Sequence, residues 1–144
     1  MSKVVFSLIG IVSSVNWWEE SSLSNARSLA MVFDRESRRH NVYREGNLLM
    51  SDSQLEFYFE IARAPWIKTI CETGFNAGHS AAVFLNANPH ARVISFDLGQ
   101  FDYTLRNLRL MKEMFPDRGH MDICRRACLR GLVEALLAPR SVCF

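Results

Sequence analysis

The chain lacks the features that would place it in several common protein classes. Its net charge is only +2 over 144 residues, which is too small to indicate a nucleic-acid partner. It has four cysteines, a number that does not suggest a disulfide framework, and Cys71 is predicted to be a buried thiol because it lies in an apolar run. No internal repeat or low-complexity segment is present. The remaining composition is the ordinary balance of a soluble globular protein, and the length predicts one domain.

Long hydrophobic runs are also absent. The longest extends from Val4 to Val15 behind Lys3 and is interrupted by serines. A membrane span needs about 20 apolar residues, whereas a signal-peptide core needs about 7–15 behind a positive charge. No small-residue cleavage site follows, so a signal or membrane anchor and a buried helix or strand both stay open. The first would make the chain secretory or membrane-anchored, and the second would leave it cytoplasmic.

Two helices are predicted ahead of the first strand. Between Ser21 and Tyr43, apolar residues recur at helical spacing and the charges fall on the opposite side, which is typical of a solvated helix face. A second helix begins near Ser51 or Asp52, where Ser51 can act as the N-cap. It stops at Ala64-Pro65. Its aromatic residues have helical spacing, which favours a core role over a ligand-binding one.

Strands and helices then alternate along the chain. The predicted order is strand Ile67–Cys71, helix His79–Leu85, strand Arg92–Phe96 and helix Tyr103–Phe115. This order predicts an α/β fold with a Rossmann-like parallel sheet and flanking helices. No Val/Ile-rich run follows Arg118, so the sheet is predicted to be incomplete, with two or three strands.

The composition changes after Arg118. Three of the four cysteines lie beyond it, and only a short helix from Arg130 to Leu137 is predicted there. The chain therefore divides into an apolar segment (1–18), N-terminal helices (19–66), a partial cofactor-binding domain (67–118) and an atypical tail (119–144). The composition of the tail suggests a segment foreign to the fold, such as an alternative reading frame. Without further strands the first strand would be an exposed apolar edge, which predicts self-association.

A strand, a glycine turn and a helix start follow one another at residues 70–80. A turn that opens a helix presents free backbone N–H groups to a ligand. Asp97 follows Gly78 by 19 residues at the tip of the next strand, where an acidic residue can hold ribose hydroxyls. These residues predict a site for an adenosine-containing cofactor, and the alternative is that the glycines only shape the turn.

The glycine spacing narrows the choice of cofactor. The pattern is Glu72-x-Gly74-x-x-x-Gly78. It is not the G-x-G-x-x-G of nicotinamide and flavin sites, nor the G-x-x-x-x-G-K-[ST] of phosphate-binding loops. A turn with fewer glycines indicates a cofactor that has no phosphate to bind.

The stretch from Cys71 to Ser80 resembles the first motif of the class I S-adenosylmethionine-dependent methyltransferases, above all the small-molecule O-methyltransferases of the catechol and caffeoyl type. The resemblance covers about Asn47 to Pro116 and includes the helix start at Ser51-Asp52-Ser53-Gln54. It implies S-adenosylmethionine as the cofactor, a small-molecule methyl acceptor as the partner and methyl transfer as the activity.

The resemblance also implies a set of cofactor-binding residues. They are Glu72, Gly74, Asn76, Gly78, Ser80 and Asp97. By this resemblance, the two glycines let the backbone approach the cofactor. Glu72 orients the turn or contacts the amino-acid end of the cofactor through water. Ser80 would bind the carboxylate near the helix N-terminus, and Asp97 would bind the ribose, with Phe96 or Leu98 beside the adenine.

The resemblance does not supply a complete enzyme. The related sheets have seven strands, and a fourth strand that would help to hold the acceptor is predicted to be absent here. Methyl transfer is therefore expected to be absent or to depend on a partner. The alternative is a non-catalytic Rossmann-like fragment that binds a nucleoside-type ligand or a protein, and an Asp97→Ala change is expected to abolish nucleoside binding while leaving the fold intact.

No catalytic residue and no metal site are predicted. His79 lies in the cofactor turn, where the resembling families do not place their base. His120, Cys124 and Cys128 fit no common zinc pattern.

Overall fold

The computed structural model describes residues 21–39, 46–117, 119–123 and 128–144. Its elements, in chain order, are α1 (Leu23–Arg38), a short 3-10 helix (Leu48–Met50), α2 (Asp52–Ala62), β1 (Thr69–Thr73), α3 (His79–Ala87), β2 (Arg92–Asp97), α4 (Asp102–Met114), β3 (Gly119–Ile123), α5 (Cys128–Leu137) and β4 (Ser141–Cys143). Within these ranges no helix is both long and apolar enough to cross a membrane. The run from Val4 to Val15 lies outside the described residues.

The four strands form one parallel sheet in the order β3-β2-β1-β4. The prediction of an α/β fold with a Rossmann-like parallel sheet, flanking helices and preceding N-terminal helices is confirmed. The predicted number of strands was too low, because the sheet has four strands and not two or three.

The first strand is interior and not an edge. β4 pairs with β1 from Thr69 opposite Ser141 to Cys71 opposite Cys143, and the N–H of Thr73 donates to the carbonyl of Phe144 at 3.1 Å. The prediction of an open edge was therefore wrong, and the predicted self-association loses its basis. β4 has only three residues, so it carries no apolar run by which sequence could reveal it.

The segment after Arg118 is part of the sheet. β3 pairs with β2 along its whole length, from Gly119 opposite Val93 to Ile123 opposite Asp97. α5 follows and covers the sheet before the chain returns as β4. The sequence left the third strand open because no Val/Ile run follows Arg118, and the structure forms it because pairing with β2 supports a strand of weak propensity.

A disulfide joins Cys71 and Cys143 across the β1–β4 pair. The two residues are in register, and their Cα atoms lie 4.4 Å apart. Cys71 is fully buried, as predicted, but it is bonded and is not a free thiol. The pairing depends on β4, so the sequence alone did not indicate it.

Each face of the sheet is covered by helices. The main core packs α1, α2, α3 and α4 against residues such as Ile70 and Val93. On the opposite face, Cys71 and Phe96 pack with Ala135 of α5. Side chains of neighbouring strand residues point to opposite faces, which is why Ile70 and Cys71 belong to different clusters.

The N-terminal helices begin with side-chain caps. Ser22 accepts from the N–H of Asn25 at 3.2 Å at the start of α1. Ser51 accepts from the N–H of Gln54 at 3.3 Å at the start of α2, as predicted. These caps satisfy backbone donors that the first helical turn leaves without partners.

Candidate functional site

The turn between β1 and α3 contains three residues in the left-handed region. Their φ angles are +88° for Gly74, +49° for Asn76 and +84° for Gly78. Glycine adopts this region without steric cost, and asparagine tolerates it better than most residues. The sequence prediction of a glycine turn between strand and helix is confirmed in its geometry.

The two glycines meet different surroundings. A Cβ at Gly78 would lie 2.5 Å from the Phe75 ring, whereas a Cβ at Gly74 would meet no atom within 4 Å. Gly78 is therefore required by packing. Gly74 leaves open space at the surface of the turn, so a ligand can approach the backbone there.

Asp97 joins this turn to the end of β2. Its carboxylate accepts the N–H of Asn76 at 2.8 Å and the N–H of Gly99 at 2.7 Å, one on each oxygen. The structure thus brings Asp97 to the glycine turn, as the spacing predicted. Asp97→Ala would remove the acceptor of two backbone N–H groups of the turn, so the expectation that the fold stays intact stays a prediction.

Glu72 lies beneath the turn and is only 3% exposed. Ser95 donates to one carboxyl oxygen at 2.6 Å, and the hydroxyl of Ser80 donates to the other. Burial raises the pKa of Glu72 from 4.5 to about 7; the two serine hydrogen bonds lower it in part, and the charge of Asp97 raises it. Glu72 therefore links β1, β2 and α3 at the base of the turn.

These bonds bear on the predicted role of Ser80. Its hydroxyl hydrogen is directed to Glu72, so only the oxygen lone pairs are left for a ligand. A ligand carboxylate at this position would be bound by backbone N–H groups at the start of α3.

Two cavities flank the turn and share part of their walls. The first, here named the Glu72 cavity, has a volume of about 400 Å³, and the second, the Asp97 cavity, about 390 Å³. Thr73, Gly74 and Asn76 line both cavities. The glycine turn therefore forms a common wall, with one cavity on each side of it.

The Asp97 cavity combines one carboxylate with apolar surfaces. Its wall includes Phe96, Leu98 and Phe101, and Leu98 and Phe101 are 57% and 41% exposed. The Phe101 ring stacks on Tyr103 with the centroids 5.2 Å apart. A flat apolar ring system carrying hydroxyls on one side would match these surfaces. Sequence reasoning named Phe96 and Leu98 but missed Phe101, which precedes α4.

Tyr103 also supports the turn. Its hydroxyl donates to Oδ1 of Asn76 at 2.6 Å, while the backbone N–H of Asn76 donates to Asp97. Asn76 was predicted as a cofactor-binding residue, and the structure places it in the wall that both cavities share. Its left-handed conformation is held from both sides.

The Glu72 cavity is more polar and has aromatic rings in its wall. Besides the turn, its lining includes residues from the segment before α2, from α2, from the start of α3 and from the C-terminus: Asn47, Gln54, Tyr58, His79, Ser80 and Phe144. The ring of Phe144 lies 4.9 Å from that of Tyr58 and 4.8 Å from that of Phe84. Sequence reasoning missed Phe144 because β4 brings it to the site from 70 positions away.

His79 connects the Glu72 cavity to α1. It is 4% exposed, and its Nε2 atom lies 3.5 Å from Oδ1 of Asp34. Asp34 is also bound by Arg38 at 2.6 Å. The imidazole is thus part of the packing between α1 and α3 as well as of the cavity wall.

Asn107 of α4 holds the turn from below. Its Nδ2 atom lies 2.7 Å from the carbonyl of Ala77, 3.1 Å from the carbonyl of Phe33 and 3.0 Å from the hydroxyl of Ser37. The residue is fully buried. Sequence reasoning missed it, because an asparagine in an amphipathic helix gives no sign of being buried.

Within the described ranges, no group of three or more His, Cys, Asp or Glu side chains is arranged to hold a metal ion. Cys124 lies outside those ranges, and of His120 and Cys128 only the backbone is described. No family model, curated protein or solved structure matches the chain.

Proposed function

We propose that the chain binds S-adenosylmethionine across the glycine turn, with adenosine in the Asp97 cavity and the methionine part in the Glu72 cavity. The observation that carries the proposal is the pair of cavities of similar volume that share Thr73, Gly74 and Asn76 as lining residues. A ligand of two unlike parts joined by a short linker fits such a pair. Gly74 provides the crossing point because no side chain stands there.

The Asp97 cavity supports the adenosine half. Each oxygen of Asp97 accepts one backbone N–H, and a carboxylate oxygen has a further lone pair to accept a ribose hydroxyl. Leu98 and Phe101 provide exposed apolar surface for the adenine ring. Stacking of a base on an aromatic side chain contributes about 1–3 kcal/mol.

The Glu72 cavity supports the methionine half. The start of α3 offers backbone N–H groups to the carboxylate. Tyr58 and Phe144 present ring surfaces, and aromatic faces attract cationic groups such as ammonium and sulfonium. The acidic Glu72 adds attraction for positive charge when it is ionised.

We infer methyl transfer to a small molecule as the reaction, from the resemblance of residues 71–80 to the methyltransferase motif. The transfer needs the acceptor and the methyl group in line, so most of the catalysis comes from positioning. No described residue is assigned as a base. The expected loss of activity rested on a missing fourth strand, and that strand is present as β4 beside β1.

The test is calorimetric titration with S-adenosylhomocysteine, with NAD as the control ligand. We expect saturable binding of the first ligand only. Phe101→Ala should weaken that binding about tenfold through the lost stacking. Phe57→Ala is the control, since it removes an exposed phenylalanine on α2, and it should leave the binding unchanged. Equal binding of NAD, or no binding by a folded chain, would contradict the proposal.

A second candidate is a non-catalytic nucleoside-binding module. It is favoured by the Asp97 cavity, whose own lining contains both a carboxylate and apolar side chains, independently of the Glu72 cavity. Titration with adenosine separates the two functions. Adenosine binding as tightly as S-adenosylhomocysteine would favour the nucleoside module, whereas much weaker binding would favour the two-cavity site.

A further inference from the structure

Three basic residues lie side by side at the amino end of the sheet, where β2, β1 and β4 begin. The N–H of Arg92 donates to the carbonyl of Lys68 at 3.0 Å, and the N–H of Lys68 donates to the carbonyl of Arg140 at 2.9 Å. Adjacent strands lie about 4.8 Å apart. The three residues, here named the basic row, therefore lie at the amino ends of three adjacent strands, with Arg92 in register with Thr69 and so one position further along its strand than Lys68.

The side chains of the basic row have no partner among the described residues. All three residues are exposed, and the described ion pairs involve other arginines, such as Arg27 with Asp52 and Arg63 with Glu60. Within the described part of the chain no carboxylate forms an ion pair with these three cations, and Asp117, which precedes β3 at the same end of the sheet, is the nearest acidic residue in the strand order. Three unpaired cations at one end of the sheet are suited to an anionic partner outside the chain.

Large apolar side chains flank the basic row. Trp66 lies two positions before Lys68 and is 66% exposed, and Leu136 and Leu137 end α5 and are 53% and 78% exposed. α5 runs back across the sheet from β3 to β4, so its last residues lie at the amino end of the strands. Tryptophan, leucine and basic residues thus share one end of the molecule.

Trp66 is held in its exposed position by a fixed loop. The side-chain amide of Asn88 lies 3.3 Å from the carbonyl of Ala64 and 3.3 Å from that of Ile67, one on each side of Trp66. Asn88 is itself buried. The indole is therefore displayed by an anchored backbone.

We propose that this end of the sheet docks onto an anionic lipid surface. Each Lys or Arg near such a surface contributes about 1 kcal/mol of attraction, tryptophan favours the membrane interface, and leucine inserts among acyl chains. Aliphatic leucines at the tip favour lipid over a nucleic acid, whose bases stack on flat rings. Glu134 is the acidic residue among the described side chains of α5, and its negative charge works against attraction to an anionic surface.

The proposal is independent of the function proposed above. The cavities lie at the carboxyl ends of β1 and β2, and the basic row lies at their amino ends. Docking would therefore leave both cavities open to ligand from the opposite side. The lipid surface would gather the chain where apolar small molecules concentrate.

The experiment is co-sedimentation of the full chain with vesicles of phosphatidylcholine containing phosphatidylserine, compared with vesicles of phosphatidylcholine alone. The test variant replaces Lys68, Arg92 and Arg140 with Gln. Its matched control replaces three exposed cations on α1 and α4 with Gln, namely Arg35, Arg109 and Lys112, so the loss of net charge is the same. A third variant changes Trp66 and Leu137 to Ala.

We expect wild-type chain to bind the phosphatidylserine vesicles. Loss of the basic row should lower the partition coefficient on the order of a hundredfold, at about fivefold per cation, and the control should lose far less. The apolar variant should also bind more weakly while keeping its salt dependence. Equal losses in the test and control variants would overturn the proposal, as would saturable binding of a uridine oligonucleotide or of polyglutamate with no binding to vesicles.

Discussion

At the scale of single residues, the buried Glu72 is the most informative group of the site. Its pKa is raised from 4.5 to about 7, chiefly by burial. The folded chain therefore keeps a proton that the unfolded chain releases between these two pH values. The contribution of Glu72 to stability is therefore largest below pH 4.5 and falls as the pH rises to 7, because the folded state must then bury a charge.

The first prediction concerns this fall in stability as Glu72 loses its proton. Glu72→Gln keeps a group that can hydrogen bond with Ser80 and Ser95 but cannot ionise. Relative to this variant, wild-type chain should lose about 3 kcal/mol of unfolding free energy between pH 4.5 and pH 7. Urea denaturation across that range measures the difference. Glu113→Gln, at an exposed position of α4, is the control, and parallel curves for wild type and Glu72→Gln would contradict the prediction.

The two glycines of the turn give a second prediction. Gly74→Ala and Gly78→Ala impose the same left-handed strain of about 1–2 kcal/mol, but only the second places a Cβ against the buried Phe75 ring. Gly78→Ala should therefore lower the thermal unfolding midpoint much more than Gly74→Ala. Gly74→Ala should instead weaken S-adenosylhomocysteine about tenfold by narrowing the crossing between the cavities. The reverse ranking of the two midpoints would contradict this assignment.

At the scale of elements, the position of the turn depends on α4 as much as on β1 and α3. Asn107 connects the carbonyl of Ala77 in the turn to the carbonyl of Phe33 in α1. Tyr103, one turn earlier on α4, holds Asn76. A single helix face therefore fixes the turn at two points.

The third prediction concerns the loss of the Asn107 side chain. Asn107→Ala leaves buried carbonyls without their donor, which should cost about 3 kcal/mol of unfolding free energy. The binding of S-adenosylhomocysteine should weaken as well, since the turn loses its support. Arg109→Ala, an exposed change on the same helix, should stay within about 0.5 kcal/mol of wild type. Urea denaturation and calorimetry together test both expectations.

The elements also differ in how far sequence reasoning could find them. α2, α3, β2 and α4 carry caps, periodic apolar residues or a proline stop, and the structure has them within a few positions of the predicted bounds. β3 and β4 carry no such local signal. Gly119–Ile123 and Ser141–Cys143 become strands only because β2 and β1 offer them hydrogen-bonding partners.

The same limit applies to the site. Glu72, Gly74, Gly78 and Asp97 were accessible to sequence reasoning because a turn between strand and helix has a fixed spacing. Phe144 was not, because it reaches the Glu72 cavity through β4. The roles of Asn107 and Tyr103 are also tertiary, since each binds a residue about 30 positions away along the chain.

At the scale of the whole molecule, the disulfide between Cys71 and Cys143 links the sheet centre to the C-terminal strand. The two residues are 72 positions apart. In the chain-entropy account, closing a loop of that length in the unfolded state stabilises the fold by about 4 kcal/mol. Because Phe144 follows Cys143 directly, the same bond also holds one wall of the Glu72 cavity.

The fourth prediction concerns this bond. A dithiol reductant should lower the unfolding free energy of wild-type chain by about 4 kcal/mol or less, and it should weaken ligand binding in the Glu72 cavity. Cys143→Ser should have the lower stability from the start and should not respond to the reductant. Measuring denaturation with and without reductant for both chains tests this, and a wild type that does not respond would contradict it.

Because the two cavities share a wall, a ligand that fills both can gain affinity from the link between its two halves. Two fragments that fill neighbouring cavities bind independently and weakly, but joining them makes the second binding event intramolecular. The gain is set by the effective concentration of one half when the other is in place, and a short tether of matched length raises it most. At Gly74 the tether needs only to pass a bare backbone. Much of the strength of a two-part ligand would then come from its linker, and compounds that join two weak fragments across this glycine should outperform either fragment by far more than their separate affinities suggest.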